Sequence, residues 1–236
     1  MNIQSNYEEH VAIAKELKMG ESFYEVREPH KEAFEEIYSQ AKEEKVTMSN
    51  AKEFLNSLTN EELGTLQDYA LLVDEINVDS LNDEGAYNLL LHHYEKYDFN
   101  KDGLVSNGIS QGGSLIPENM PTKEKKALVE SLNEMDEKDS FLALMMINLP
   151  KFVVAEDGTV TTKFNNDPMD YNAIMDRIHR ILNPQPGEHR SASLLDTISR
   201  FQEIFKSNFE ESDTKREQYQ AQQQNDSNIV KAKINT

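Results

Sequence analysis

One short run gathers the residues best able to do chemistry: Asp98-Phe99-Asn100-Lys101-Asp102-Gly103-Leu104-Val105-Ser106. Asp98, Asn100 and Asp102 place side-chain oxygens at alternate positions. Leu104 adds a backbone carbonyl and Ser106 a hydroxyl. A calcium ion needs roughly six to eight oxygen ligands at flexible geometry, which such a spacing supplies in part. Gly103 stands where the chain must turn sharply, a place for a residue tolerant of positive φ. Asp98, Asn100, Asp102, Leu104 and Ser106 are therefore the expected metal ligands, and Ca2+ the expected ion.

Val105 is the apolar plug of this run, and Tyr94 and Tyr97 lie four and one residues before Asp98. In this setting the segment Tyr94 to Ser106 resembles an EF-hand or dockerin-type calcium loop. The resemblance implies a bound calcium and an aromatic anchor on the entering helix. It covers only this segment. Where an EF-hand supplies its bidentate carboxylate the chain has Ile109, with Gly108, Gly112 and Gly113 around it. A carboxylate from elsewhere must complete the site, and Glu118 and Asp79 are the candidates. The ion would then be structural rather than sensory, since a sensor pairs its hands. The competing reading is an Asx-rich turn that closes without any metal.

Other chemistry is sparse. His92 and His93 are adjacent, so on a helix they diverge by about 100° and cannot chelate one ion together. His179 lies beside Asp176, where a local ion pair is the expectation. Glu134, Asp136, Glu137 and Asp139 form a solvated acidic junction. The chain carries no G-x-S-x-G, no H-E-x-x-H and no phosphate-binding glycine loop. It has no cysteine, which excludes disulfides, thiolate zinc sites and a cysteine nucleophile.

The elements that must position the loop read as helices. Val11, Ile13, Ala14 and Leu17 make an N-terminal amphipathic segment, ended by Gly20. Phe34, Ile37, Tyr38 and Ala41 recur at helical spacing after Pro29. Residues 50–58 form a short helix. Thr59-x-x-Glu62 is a capping box that opens the next one. A helix over 83–97, with Tyr87, Leu90, Leu91 and Tyr94 inward, is expected to run straight into Asp98. Residues 106–122 are rich in Gly, Pro, Ser, Asn and Gln and read as a loop. Helices follow at 121–135 and 139–149. Asp157-Gly158 between β-branched runs predicts a β-hairpin over 152–164. Asp167-Pro168 is the expected start of a further helix, and residues 193–209 form the last.

The fold class is thus mainly α, an irregular helical domain of α+β type with one β-hairpin. The organisation expected is an N-terminal segment at 1–24, a helical domain at 25–210 and a polar, Gln-rich disordered tail at 211–236. The 236 residues carry 43 acidic against 24 basic side chains, a net charge of −19. That disfavours nucleic acid and anionic membranes and suits protein partners. No window is apolar enough to span a bilayer and the N-terminus lacks a signal-peptide core. The chain is expected to be cytoplasmic, or exported without a cleaved signal. The function expected is that of a non-enzymatic calcium-binding interaction protein. The alternatives are a cation-dependent hydrolase with concealed catalytic carboxylates, and a ligand-free helical scaffold or exported bacterial protein.

Overall fold

The computed structural model describes residues 3–18, 24–148, 151–154, 160–163 and 168–211. The protein is mainly α, as the periodicity predicts. The helices are α1 (Ile3–Ala14), α2 (Glu28–Glu43), α3 (Ala51–Ser57), α4 (Asn60–Ala70), α5 (Asp83–Leu89), α6 (Thr122–Asn133), α7 (Glu137–Asn148) and α8 (Tyr171–Leu182). A further helix, α9, covers 192–211.

Two apolar clusters organise these elements. Phe34, Ile37 and Ala41 of α2 meet Phe54 and Leu55 of α3, Leu66 and Tyr69 of α4, and Ala86 and Leu89 of α5. The Phe34 and Tyr69 rings stack with centroids 3.7 Å apart. The second cluster joins Ile13 of α1 and Leu17 just beyond it to Leu128 and Leu132 of α6, Ile147 of α7, Ile174 and Ile178 of α8, and Phe201 and Phe205 of α9. Each fully buried Leu, Ile or Phe contributes roughly 1.5–3 kcal/mol, so α1 is held by its Ile13 and Leu17 contacts. Asn133 fastens the chain just beyond α1 to α6, accepting from the Lys18 N–H at 2.7 Å and donating to the Glu16 carbonyl at 2.8 Å.

The capping box forms as read. Glu62 N–H donates to Thr59 Oγ1 at 3.3 Å, and Thr59 N–H donates to Glu62 Oε2 at 2.7 Å. Thr59→Ala should therefore cost about 1 kcal/mol, seen as a lower urea midpoint with an unchanged slope.

Three readings need correction. The helix expected over 83–97 ends at Leu89. Past that point the Asn88 side chain takes both polar groups of Tyr97, accepting from its N–H at 3.2 Å and donating to its carbonyl at 3.0 Å, and so turns the chain back on itself. Residues 106–122 are not only loop: β1 (Val105–Asn107) and β2 (Ser110–Gly112) pair antiparallel, with Asn107 opposite Ser110. Gly108, at φ +62°, opens the two-residue connection, where a type II′ turn demands glycine. The helix placed after Asp167-Pro168 starts instead at Tyr171, capped by Asp170, whose carboxylate accepts the Ala173 N–H at 2.9 Å. The start lies about one turn further on because Asp170 reaches a free first-turn amide.

The later hairpin forms as β3 (Lys151–Val154) and β4 (Val160–Lys163), with Phe152 opposite Thr162. The predicted Asp157-Gly158 turn, Asp167 and the tail at 212–236 lie outside the described residues. Among the described residues no helix is long and apolar enough to cross a membrane.

Candidate functional site

The loop sits between the two clusters. On one side Gly108 N–H donates to the Gly85 carbonyl of α5 at 3.1 Å. On the other, Ile116, a few residues past β2, is buried in the second cluster. The residues ahead of it are held by rings: Tyr97 and Phe99 lie 5.5 Å apart, Tyr7 of α1 lies 5.3 Å from each, and Tyr87 of α5 lies 5.2 Å from Phe99.

Within the loop, side-chain oxygens of Asp98, Asn100 and Asp102 accept backbone amides. Asp98 Oδ1 takes the Asp102 N–H at 3.1 Å and its Oδ2 takes the Gly103 N–H at 2.7 Å. Asn100 Oδ1 shares the Asp102 N–H at 2.8 Å, and Asp102 Oδ1 takes the Leu104 N–H at 2.8 Å. Gly103 has φ +90°, the left-handed region expected of it, and Lys101 joins it at +61°. Ser106 is placed differently. Its buried hydroxyl oxygen accepts from Asn82 Nδ2 at 3.0 Å and lies 3.3 Å from the donating Gln111 Nε2. The Ser106 hydroxyl thus turns to Asn82 and Gln111, while its backbone N–H and carbonyl go to Glu84 and Asn88 of α5.

Two further carboxylates reach the loop. Glu118 Oε1 accepts the Asp98 N–H at 2.6 Å, so one of the two candidate completing residues does arrive there. Asp79, the other, is exposed in a short 3₁₀ turn (Val78–Ser80), its N–H bound to Asn77. The unanticipated residue is Glu84. It is only 2% exposed, and its two oxygens accept the Ser106 N–H at 2.8 Å and the Asn100 N–H at 3.2 Å. Asn88 lies four residues on, along the same face of α5, and donates to the Ser106 carbonyl at 2.7 Å as well as to Tyr97. The signal was present in the sequence: two polar residues at i and i+4 in an otherwise apolar stretch project together.

These carboxylates repel. Burial raises the Glu84 pKa, amides from Ser106 and Asn100 hold it partly down, and the charges of Asp98 and Asp102 raise it further. Burial lifts Glu118 to about 7, with the Asp98 and Glu84 charges adding to the rise against the Asp98 amide and Lys125. The donors are hard oxygens, which is the chemistry calcium takes. Each carboxylate oxygen retains a lone pair after accepting one amide. Against this, no three His, Cys, Asp or Glu side chains among the described residues stand close enough to hold a metal ion together.

The histidines do not form a metal pair either. His92 Nδ1 lies 3.2 Å from the Tyr69 hydroxyl, and its Nε2 lies 3.6 Å from Glu35. His93 packs edge-on to Tyr24, and lines a separate cavity beside the β1–β2 hairpin. His179 lies 3.2 Å from the Asn183 amide nitrogen, not in the expected pair with Asp176.

Comparison of the chain with family models, with curated proteins and with solved structures finds no match to any of the three.

Proposed function

We propose that this is a non-enzymatic interaction protein whose 98–106 loop is a structural cation joint between its two helical clusters. The observation that carries the reading is the arrival of Glu84 and Glu118 at a loop already shaped by Asp98, Asn100 and Asp102. A divalent ion there would be taken by Asp98, Asn100, Asp102 and the Leu104 carbonyl, and Glu118 would have to move off the Asp98 N–H to complete the set, since no three acidic side chains stand together among the described residues. The ion would neutralise the mutual repulsion that adds to burial in raising the Glu84 and Glu118 pKa values. Its role is to fix the joint. The chain's net charge of −19 suits a protein partner rather than nucleic acid.

A loop held by backbone amides alone is the second reading. It is favoured by the amides that already occupy both oxygens of Asp98 and of Glu84. A cation-dependent hydrolase would need a cleft holding the loop beside a carboxylate pair, and the cavity next to the hairpin has no Asp or Glu in its lining.

Thermal melting in calcium and in chelator separates these. With a Kd of about 1 mM, as for weak calcium modules, about 10 mM calcium adds roughly 1.4 kcal/mol. For a chain of this size that raises Tm by roughly 3–6 °C. Asp98→Ala/Asp102→Ala should abolish the rise. An equal Tm with and without calcium in the unmodified protein would sink the cation reading in favour of the amide-held turn.

A further inference from the structure

A cavity of about 300 Å³ lies between α1, the turn after α5 and the β1–β2 hairpin, near the lower end of ligand-binding volumes. One side is apolar, formed by residues that include Leu17, Leu115 and Ile116. Lys96 and Asn107 belong to its wall. None of the carboxylates at the cation joint lines it, so the two sites are separate.

Lys96 is the wall residue best placed to act as a nucleophile. Its side chain is half-buried, and its Nζ donates to Asn107 Oδ1 at 2.8 Å. That bond ties the amine to a second residue of the wall. Among the described residues Lys96 forms no ion pair with a carboxylate. An ammonium has three donors to satisfy, and the acceptor the fold supplies is one neutral amide. An amine drawn out of water with no counter-charge favours its neutral form. Burial accordingly pulls Lys96 down to about 7, with the Arg27 charge a smaller addition. At pH 7 about half of such an amine has a free lone pair, against roughly 0.04% of a lysine at its ordinary value of about 10.4.

We propose that Lys96 is a nucleophile for small aldehydes with an apolar tail, which this cavity holds as imines. The Nζ lone pair attacks the carbonyl carbon and forms the C–N bond, and the carbonyl oxygen takes one proton from nitrogen to give a carbinolamine. The C–O bond then breaks. The second proton on nitrogen leaves with that oxygen as water, and a C=N bond remains. No oxidant or reductant is needed. Lysines desolvated in apolar pockets do this chemistry. An imine open to water hydrolyses, and here the tail lies against Leu17 and Ile116, which limits water at the new bond. The Asn107 amide holds the nitrogen in place for the attack.

The test uses the full chain with hexanal as probe. Cyanoborohydride reduces any imine to a stable secondary amine, and peptide mapping by mass spectrometry locates it. Lys96 should be alkylated at least roughly tenfold faster than any other lysine. Its margin should be widest near pH 7 and shrink by about pH 10, where the other lysines also lose their protons. The chain's α-amine, free near about 7.7–8, is scored on its own peptide. Glyoxylate, an aldehyde with a charge in place of the tail, should favour Lys96 over the other lysines less than hexanal does. Lys96→Arg, with its fold checked by its NMR spectrum, should lose the fast site and leave the other lysines labelled as before. Labelling spread over the exposed lysines, with Lys96 no faster than they are, overturns the proposal. A stronger preference of glyoxylate for Lys96 overturns the apolar-tail assignment. If Lys96→Arg does not fold, the peptide map of the unmodified chain decides.

Discussion

Gly85→Ala should be among the most damaging single-methyl changes in this protein, lowering stability by about 1–3 kcal/mol. A Cβ at Gly85 would sit 2.2 Å from the Gly108 carbonyl oxygen and 3.2 Å from its carbon. Both are backbone atoms, so no side-chain rotation relieves the overlap. Gly108 cannot retreat cheaply, because its N–H is bonded to the Gly85 carbonyl and its turn packs on Leu72. Overpacking alone costs about 1–3 kcal/mol, and the broken amide hydrogen bond adds roughly 1 kcal/mol. Helix propensity works the other way by only about 1 kcal/mol. Gly64→Ala is the matched control. It lies inside α4 with nothing within 4 Å of the added carbon, so it should stabilise by about 0.5–1 kcal/mol. Urea unfolding of the two variants measures the contrast. A Gly85→Ala protein as stable as Gly64→Ala would show that α5 and the hairpin do not touch as described.

Acid should destabilise the protein through His10, and His10→Leu should remove much of that effect. Burial, with the Lys125 charge on α6 adding to it, drives the His10 pKa from 6.5 to about 3. His10 thus stays neutral in the folded protein while the unfolded chain takes up a proton near pH 6.5. Its folded pKa is depressed, so the stability it provides is complete above pH 6.5 and is lost as pH falls toward about 3. By pH 4 the loss amounts to about 3 kcal/mol relative to pH 7.5. His93, held at about 4 by burial and by Arg27 and Lys96, adds a loss of the same sign over pH 6.5 to 4. Glu118 opposes them: its raised pKa favours the folded state below pH 4.5, and that contribution fades as pH rises through about 7. The wild-type and His10→Leu curves must therefore be subtracted, with the stability of each measured by urea unfolding from pH 7.5 to pH 4. A constant difference across that range would mean that His10 takes up its proton at the same pH in the folded and unfolded chains.

The raised pKa values of Glu84 and Glu118 and the lowered one of His10 share one cause, the removal of each group from water. Glu84 meets two amides, and Asn88 closes the loop ends. Glu118 meets one amide and Asp98's charge.

By itself the sequence determined the local structure. Helical spacing of Phe34, Ile37 and Ala41, the Thr59 and Glu62 capping box, the later hairpin and the positive φ of Gly103 all follow from interactions within a few residues. So does the inward turn of Asp98, Asn100 and Asp102, because each accepts an amide two to five residues on. The tertiary structure decided what surrounds that loop. It cut the helix at Leu89 through Asn88, folded 105–112 into a second hairpin against Gly85, and sent the Ser106 hydroxyl to Asn82 and Gln111. It chose Glu118 over Asp79 and added Glu84. Apart from the Gln111 bond, those outcomes depend on contacts across 9 to 24 residues. Chain-local propensities cannot rank such contacts, because their energies come from desolvation and packing that exist only once the clusters have formed.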